Sequence, residues 1–247
     1  MVREENQDSW GKFPAENLDL SQPQGQLFIV ADGMGGHRGG RQASELAVKS
    51  VEHAYFVDSS KNIPDRLEAA FQIANADIYE YSINNPAFAG MGTTCTALVL
   101  QNDHGYIAHV GDSRLYRFSK EGLEQLTRDH STIAEMHRRG LITREEAKHH
   151  PHKNQLYRAL GVRPAAEVDL RDDVTLTGEE CFLLCSDGLT NHVDEEELYQ
   201  IVFGIPPQKA CEKLVELANE RGGFDNITVE IVAVNFANSL LGRIIGS

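Results

Sequence analysis

Leu27-Phe28-Ile29-Val30-Ala31-Asp32-Gly33-Met34-Gly35-Gly36-His37 is an apolar run that stops on a carboxylate followed at once by glycines. A short apolar run bounded by turn formers predicts a buried strand over 27–31. Two further stretches repeat the arrangement. Ser186-Asp187-Gly188-Leu189 follows the apolar run 181–185, and Gly223-Phe224-Asp225-Asn226 precedes another β-branched run. Aspartates gathered at strand ends along one sheet edge repel one another unless a cation neutralises them. Asp32, Asp187 and Asp225 therefore point to a polyvalent metal centre, and with it to hydrolytic chemistry.

The glycines after Asp32 do not make a dinucleotide site. Gly33, Gly35, Gly36, Gly39 and Gly40 leave Arg38 where the third glycine of that fingerprint belongs, and Asp32 would turn its charge on a pyrophosphate.

Outward from this stretch, Ala43, Leu46, Ala47, Val51, Ala54 and Tyr55 line one face of a helix that follows Gly39-Gly40. A second helix is expected from Pro64, with Leu67, Ala70, Phe71, Ala74, Ile78 and Tyr81 at helical spacing, until Asn84-Asn85-Pro86 stops it. The period then changes. Strands over 95–100, 106–110 and 115–118, joined by turns at Asn102-Asp103-His104-Gly105 and Gly111-Asp112, predict an antiparallel meander. The polar stretch 131–161, with His137, His149, His150 and His152, predicts a flap between core strands. Strands over 168–170 and 181–185, helices over 194–203 and 207–220, and a last strand over 227–236 follow. The tail, about 238–247, is expected to fray. Paired helices and blocks of strands indicate an α+β fold and one domain over 1–247.

With 247 residues, 41% of them hydrophobic, the chain can bury a sizeable core. Its formal charge of -14 argues against nucleic acid or an anionic membrane as partner. No stretch approaches the roughly 20 apolar residues of a membrane span, and no basic-then-apolar leader opens the chain. A cytoplasmic monomer is expected. Cys95, Cys181, Cys185 and Cys211 form no CxxC pair, so buried, reduced thiols are expected.

Seven motifs occur together: Arg3-Glu4-Glu5-Asn6-Gln7-Asp8, Ala31-Asp32-Gly33-Met34-Gly35-Gly36, Gly90-Met91-Gly92-Thr93-Thr94, Val110-Gly111-Asp112-Ser113-Arg114, Leu126-Thr127-Arg128-Asp129-His130, Ser186-Asp187-Gly188-Leu189 and Gly222-Gly223-Phe224-Asp225-Asn226-Ile227-Thr228. In this order they resemble the metal-dependent serine/threonine protein phosphatases of the type 2C class, in their compact bacterial form. The resemblance implies a four-layer αββα sandwich, two antiparallel sheets flanked by helix pairs, with metals in a cleft at one end.

For the site, the resemblance implies that Asp32 bridges two metals, that the Gly33 carbonyl binds one, and that Asp187 and Asp225 complete the other. Such all-oxygen donors suit Mn²⁺ or Mg²⁺. It further implies that Asp112 helps hold a third, more labile ion near the flap, with Asn154 as a neighbour, that Arg3 grips the phosphate, and that Asp8 orders a metal-bound water. The implied reaction is attack on phosphoserine or phosphothreonine phosphorus by a hydroxide bridging the two ions, without a covalent intermediate. Implied partners are phosphorylated proteins and a serine/threonine kinase.

Each residue has a plainer reading beside the functional one. Arg3 is also consistent with a solvated terminal side chain, Asp112 with an Asx turn beside Gly111, and His37 with a solvated loop histidine. Met34 stands where mammalian relatives carry the histidine proposed as general acid, and His37 lies three residues on. The chain begins two residues before Arg3, so an opening strand usual in the family is expected to be missing. Two other functions fit the same fold: a non-catalytic phosphoprotein-binding module, and a phosphatase of small phosphoesters.

Overall fold

The computed structural model describes residues 5–15, 19–57 and 61–234, together with the backbone of 241–246; at His37 it describes the backbone alone. The opening apolar run becomes strand β2 (Gln26–Met34). It is continuous rather than alternating because both faces are covered. Leu27, Ile29 and Ala31 pack against helices, while Phe28 and Val30 pack into the space between two sheets. All five are fully buried.

The first sheet has the order β1-β2-β4-β5-β8, with β1 at Asp8–Phe13, β4 at Cys95–Gln101, β5 at His104–Val110 and β8 at Asp169–Thr175. The short β3 (Gly92–Thr93) pairs with the end of β2. The second sheet has the order β11-β10-β9-β6-β7, with β6 at Arg114–Ser119, β7 at Gly122–Gln125, β9 at Cys181–Cys185, β10 at Thr228–Ala233 and β11 at Leu241–Gly246. Its ladders and those of the first sheet are antiparallel. Between the sheets lie Phe28, Val30, Leu98, Leu100, Leu115, Phe182, Leu184 and Val232.

Helices α1 (His37–Val57) and α2 (Ile63–Asn84) bury Ala43, Ala47, Val51, Leu67, Phe71 and Ile78 on the outer face of the first sheet. Asn62 caps α2 through the amide of Asp65. The segment between the sheets' strands carries α3 (Thr132–Arg138), capped by Ser131, and α4 (Arg144–Lys148), which starts on a Thr143/Glu146 capping box. A four-residue helix, α5 (Asp187–Thr190), follows β9 directly. On the outer face of the second sheet, α6 (Glu195–Gly204) and α7 (Pro207–Glu220) bury Leu198, Ile201, Ala210 and Leu214. The expected αββα layering is present.

Three expectations are corrected. The run 95–118 is not one meander: β4 and β5 pair in the first sheet, whereas β6 pairs with β7 and β9 in the second. The Gly111-Asp112 turn, with Gly111 at φ 116, carries the chain from one sheet to the other. Period-two alternation marks a strand without naming its neighbour. Strands β1 and β7 carry too little apolar alternation to stand out, and the polar β8 lies further along than 168–170. Finally, 241–246, expected to fray, forms β11 against β10; residues 235–240 lie outside the described ones.

The four cysteines are free, with Cys95, Cys185 and Cys211 buried and Cys181 partly so. No helix among the described residues is long and apolar enough to cross a membrane.

Candidate active site

The end of β2 is fixed before any ligand is considered. The Asp32 amide donates to Thr94 Oγ1 at 2.9 Å, and the Asp32 carbonyl accepts from Thr93 Oγ1 at 2.8 Å and from the Thr94 amide at 2.9 Å. Thr94 Oγ1 also bonds Ser113 Oγ at 2.7 Å, next to Asp112. The Gly-Thr-Thr motif thus holds Asp32 from its main chain. Gly33 is demanded by close approach: a Cβ there would stand 2.0 Å from the Gly40 carbonyl oxygen at the start of α1.

A second pair of carboxylates is drawn together by the turn after β9. The Ser186 amide donates to the Thr228 carbonyl at 3.2 Å, and the Thr228 amide returns to Ser186 Oγ at 3.0 Å. Gly188 lets the Asn226 carbonyl approach so closely that a Cβ would meet it at 2.0 Å. Asp187 and Asp225 are thereby neighbours. Asp8, opposite Asp32 on β1, accepts from Ser186 Oγ at 2.7 Å and Thr228 Oγ1 at 2.8 Å, both on Oδ2. Its Oδ1 is buried without a partner among the described residues.

Asp112 reaches the same place from the crossover turn. Arg114 grips Asp129 with Nε at 2.9 Å and Nη2 at 2.6 Å, and donates Nη1 to Tyr116 Oη at 2.9 Å. His130 clamps Gly111: its amide donates to the Gly111 carbonyl at 2.7 Å, and its Nδ1 accepts from the Gly111 amide at 3.1 Å. On its other side, His130 Nε2 meets Asp169 Oδ2 at 3.1 Å. Burial pushes His109, which bonds Thr96 Oγ1, down to about 4.

The electrostatics follow from crowding. Desolvation raises Asp32 well above the usual carboxylate range, and the charges of Asp8, Asp187, Asp112 and Asp225 add to the rise. Desolvation lifts Asp8 to about 6 against the pull of the Ser186 and Thr228 hydroxyls. Asp112 is raised well above its ordinary value by desolvation and by Asp187 and Asp129. Asp187 is raised by desolvation and Asp225, and lowered by a bond from Asn191 and by the charge of Lys153.

An orphaned carboxylate oxygen among acids that hold each other's protons on is a site that a cation would relieve. No three His, Cys, Asp or Glu side chains among the described residues close round one point as a finished cage. Open, all-oxygen donor sets suit a hard ion that keeps several of its waters. The residues present fit Mg²⁺ or Mn²⁺.

Of the residues singled out in the sequence, the structure brings Asp8, Asp32, Gly33, Asp112, Asp187 and Asp225 to this end of the sandwich. Arg3 and the His37 side chain lie outside the described residues. Met34 is partly buried, and Asn154 is exposed on the segment 131–161. Sequence reasoning missed the supporting groups Thr94, Ser186, Thr228 and Asp129, although each stands inside a quoted motif. It also missed Lys153 and Asn191, for which no spacing signal existed.

Comparison with known proteins shows the family and agrees with the fold. The family model for protein phosphatase 2C matches residues 3–219. A serine/threonine phosphatase, stp, of Listeria monocytogenes serotype 4b (strain F2365) is 42% identical over 236 residues, covering 94% of this chain and 91% of the relative. The structure of the S. agalactiae serine/threonine phosphatase superposes with a TM-score of 0.85 at 34% identity, covering 95% of this chain and 96% of that one. The catalytic domain of the serine threonine protein phosphatase PstP, in complex with 2 manganese ions, superposes with a TM-score of 0.80 at 32% identity, covering 95% of this chain and 94% of that one. With the carboxylate cluster, the sandwich and these matches in agreement, the chain belongs to the protein phosphatase 2C family.

Proposed function

We propose that this protein is a metal-dependent phosphatase that removes phosphate from phosphoserine and phosphothreonine in proteins. The observation that carries the reading is the convergence of Asp8, Asp32, Asp112, Asp187 and Asp225 on one end of the sandwich, where burial and the neighbouring charges raise the proton affinity of Asp8, Asp32, Asp112 and Asp187. Asp32, the Gly33 carbonyl, Asp187 and Asp225 would hold two ions, Mn²⁺ or Mg²⁺, and Asp112 would help hold a third. Bound there, such ions would supply Lewis acidity toward the phosphoryl oxygens and lower the pKa of water toward neutrality. That chemistry needs no phosphoenzyme.

The chain's own groups set the stage. Ser186 and Thr228 hold one oxygen of Asp8 and leave the other to order solvent above Asp32. Thr93 and Thr94 keep the Asp32 backbone from moving as charge develops. Arg3 would grip two phosphate oxygens with its planar fork. The segment 131–161 would act as a flap over the cleft. Phosphorylated proteins are the partners; we place the protein in the cytoplasm, as a monomer, opposing a serine/threonine kinase.

The test is phosphate release from a phosphothreonine peptide with added Mn²⁺, compared with free phosphothreonine and with Asp187→Asn. Metal-dependent release from the peptide, lost in the variant, is expected. Equal turnover in Asp187→Asn would overturn the reading, and preference for the free amino acid would replace the protein substrate by a small phosphoester.

A further inference from the structure

Lys153 stands exposed in the segment 131–161 and donates from Nζ to Oδ1 of Asn191 at 2.9 Å. Asn191 is fixed in turn at the end of α5, where its amide donates to the Asp187 carbonyl at 2.8 Å. From the far end of the same side chain, Nδ2 donates to Oδ2 of Asp187 at 3.1 Å. Ammonium, carboxamide and carboxylate thus form a row in which Nζ donates to the amide oxygen and Nδ2 donates to the carboxylate.

The row has a direction. A side-chain amide offers an acceptor at one end and donors at the other. A cation on its oxygen selects one of the two amide orientations and polarises the N–H groups that face Asp187. Without Lys153 the carboxylate alone still favours the N–H end, and the amide loses the charge that deepens the preference and polarises its donors. An exposed lysine usually contributes little, and where one forms an ion pair, as Lys120 does with Glu179, its partner is a carboxylate. Lys153 meets a neutral amide instead. A second tie, Arg144 Nη2 to Glu195 Oε2 at 3.2 Å, seats the same segment on α6 without touching Asp187.

We propose that Lys153 is a positioning residue: through Asn191 it sets the orientation of the Asp187 carboxylate, so that seating of the segment 131–161 on α5 tunes how tightly the site holds its cation. The proposal rests on the functional reading above, in which Asp187 holds a metal ion. Seating and metal affinity are then two sides of one equilibrium. The segment docks more firmly when the site is loaded, and the metal is held more firmly when the segment is docked.

The experiment is calorimetric titration of Mn²⁺ into the metal-free full chain and its variants, with phosphothreonine-peptide kinetics in parallel. Asn191→Ala is expected to weaken Mn²⁺ binding about 10-fold, the usual loss for a group that orients a metal ligand, and Lys153→Met by about 5-fold. The double variant should bind no more weakly than Asn191→Ala alone, because both substitutions break one row. Lys153→Arg, which keeps a cationic donor, should recover most of the loss. Arg144→Ala should stay within about twofold of the parent.

Unchanged affinity in Lys153→Met overturns the proposal, as does full additivity in the double variant or an equal loss in Arg144→Ala, which would trace the effect to docking in general. A parent protein that takes up no Mn²⁺ overturns the functional reading itself. That outcome is distinct from a parent that binds and a Lys153→Met variant that binds equally well.

Discussion

Asp8 and Asp32 face each other directly across the β1–β2 ladder. Like charges opposite one another on antiparallel strands are destabilising, and here three more carboxyl groups stand behind them. The fold therefore carries a repulsion at one end that its core must offset. A bound cation would turn that liability into a source of stability.

Stability and proton count follow from this crowding. Asp8 rises to about 6 from 3.8, and Asp32, Asp112 and Asp187 move the same way. A raised native pKa means that the folded chain holds protons the unfolded chain has released, so metal-free stability is present below the ordinary carboxylate range and lost as pH rises through about 6. The EDTA-treated protein should melt lower at about pH 7.5 than at about pH 5 by calorimetry. At the higher pH, saturating Mn²⁺ should raise Tm by roughly 5–10 °C and release protons in doing so. A melting temperature that ignores Mn²⁺ at both values contradicts a formed site.

Glu230 poses a separate question of pH. It lies on β10 between Thr228 and Val232 on the face toward the other sheet, fully buried, with neither carboxylate oxygen partnered among the described residues. Desolvation raises it well above its ordinary value, opposed by the charge of Lys12. Its contribution to stability is complete below the unfolded pKa near 4.5 and lost as pH rises toward the native one. Urea midpoints of Glu230→Gln against the parent should diverge in the variant's favour, by up to about 1.4 kcal/mol per pH unit across that window. Parallel pH profiles for the two proteins would show that Glu230 does not titrate on unfolding.

Gly188→Ala should open the site from behind. Its Cβ would stand 2.0 Å from the Asn226 carbonyl oxygen, a backbone atom that cannot swing away. We expect a loss of about 2–3 kcal/mol in chemical denaturation, the scale of overpacking, and weaker Mn²⁺ stabilisation as Asp187 and Asp225 separate. A variant as stable and as metal-responsive as the parent would mean that the loop yields at no cost.

Arg114→Lys keeps the charge beside Asp112 and removes the fork that holds both oxygens of Asp129. It also leaves the Tyr116 hydroxyl without the Nη1 donor. A loss of roughly 2 kcal/mol is expected in urea unfolding, since the pair is mostly shielded from water and a lysine supplies one donor direction at a time. Stability within a few tenths of a kcal/mol of the parent would reduce this pair to a surface contact.

Much of the site was legible before any fold was known, because the chemistry constrains residue type at fixed local spacing. Asp32-Gly33 and Asp187-Gly188 announce themselves as carboxylates at strand ends, with glycine where the backbone of another segment comes within 2.0 Å of a would-be Cβ. Lys153 carries no such mark. It is one lysine in a polar stretch, and only its 2.9 Å bond to Asn191 distinguishes it from its neighbours.

Local periodicity by itself determined the long helices α1, α2 and α7 and the buried strands β2, β4 and β9, because burial of an apolar face acts over a few residues of chain; the edges of apolar runs marked Asp32, Asp187 and Asp225, whereas Asp8 and Asp112 were implied only by the family resemblance. Tertiary structure alone decided that β6 crosses to the second sheet, that 241–246 returns as an edge strand, and that Asp8 is held by Thr228, 220 positions away. Those outcomes depend on which backbone edges and hydroxyl groups are still unpaired once the layers have packed, and no window of neighbouring residues contains that information.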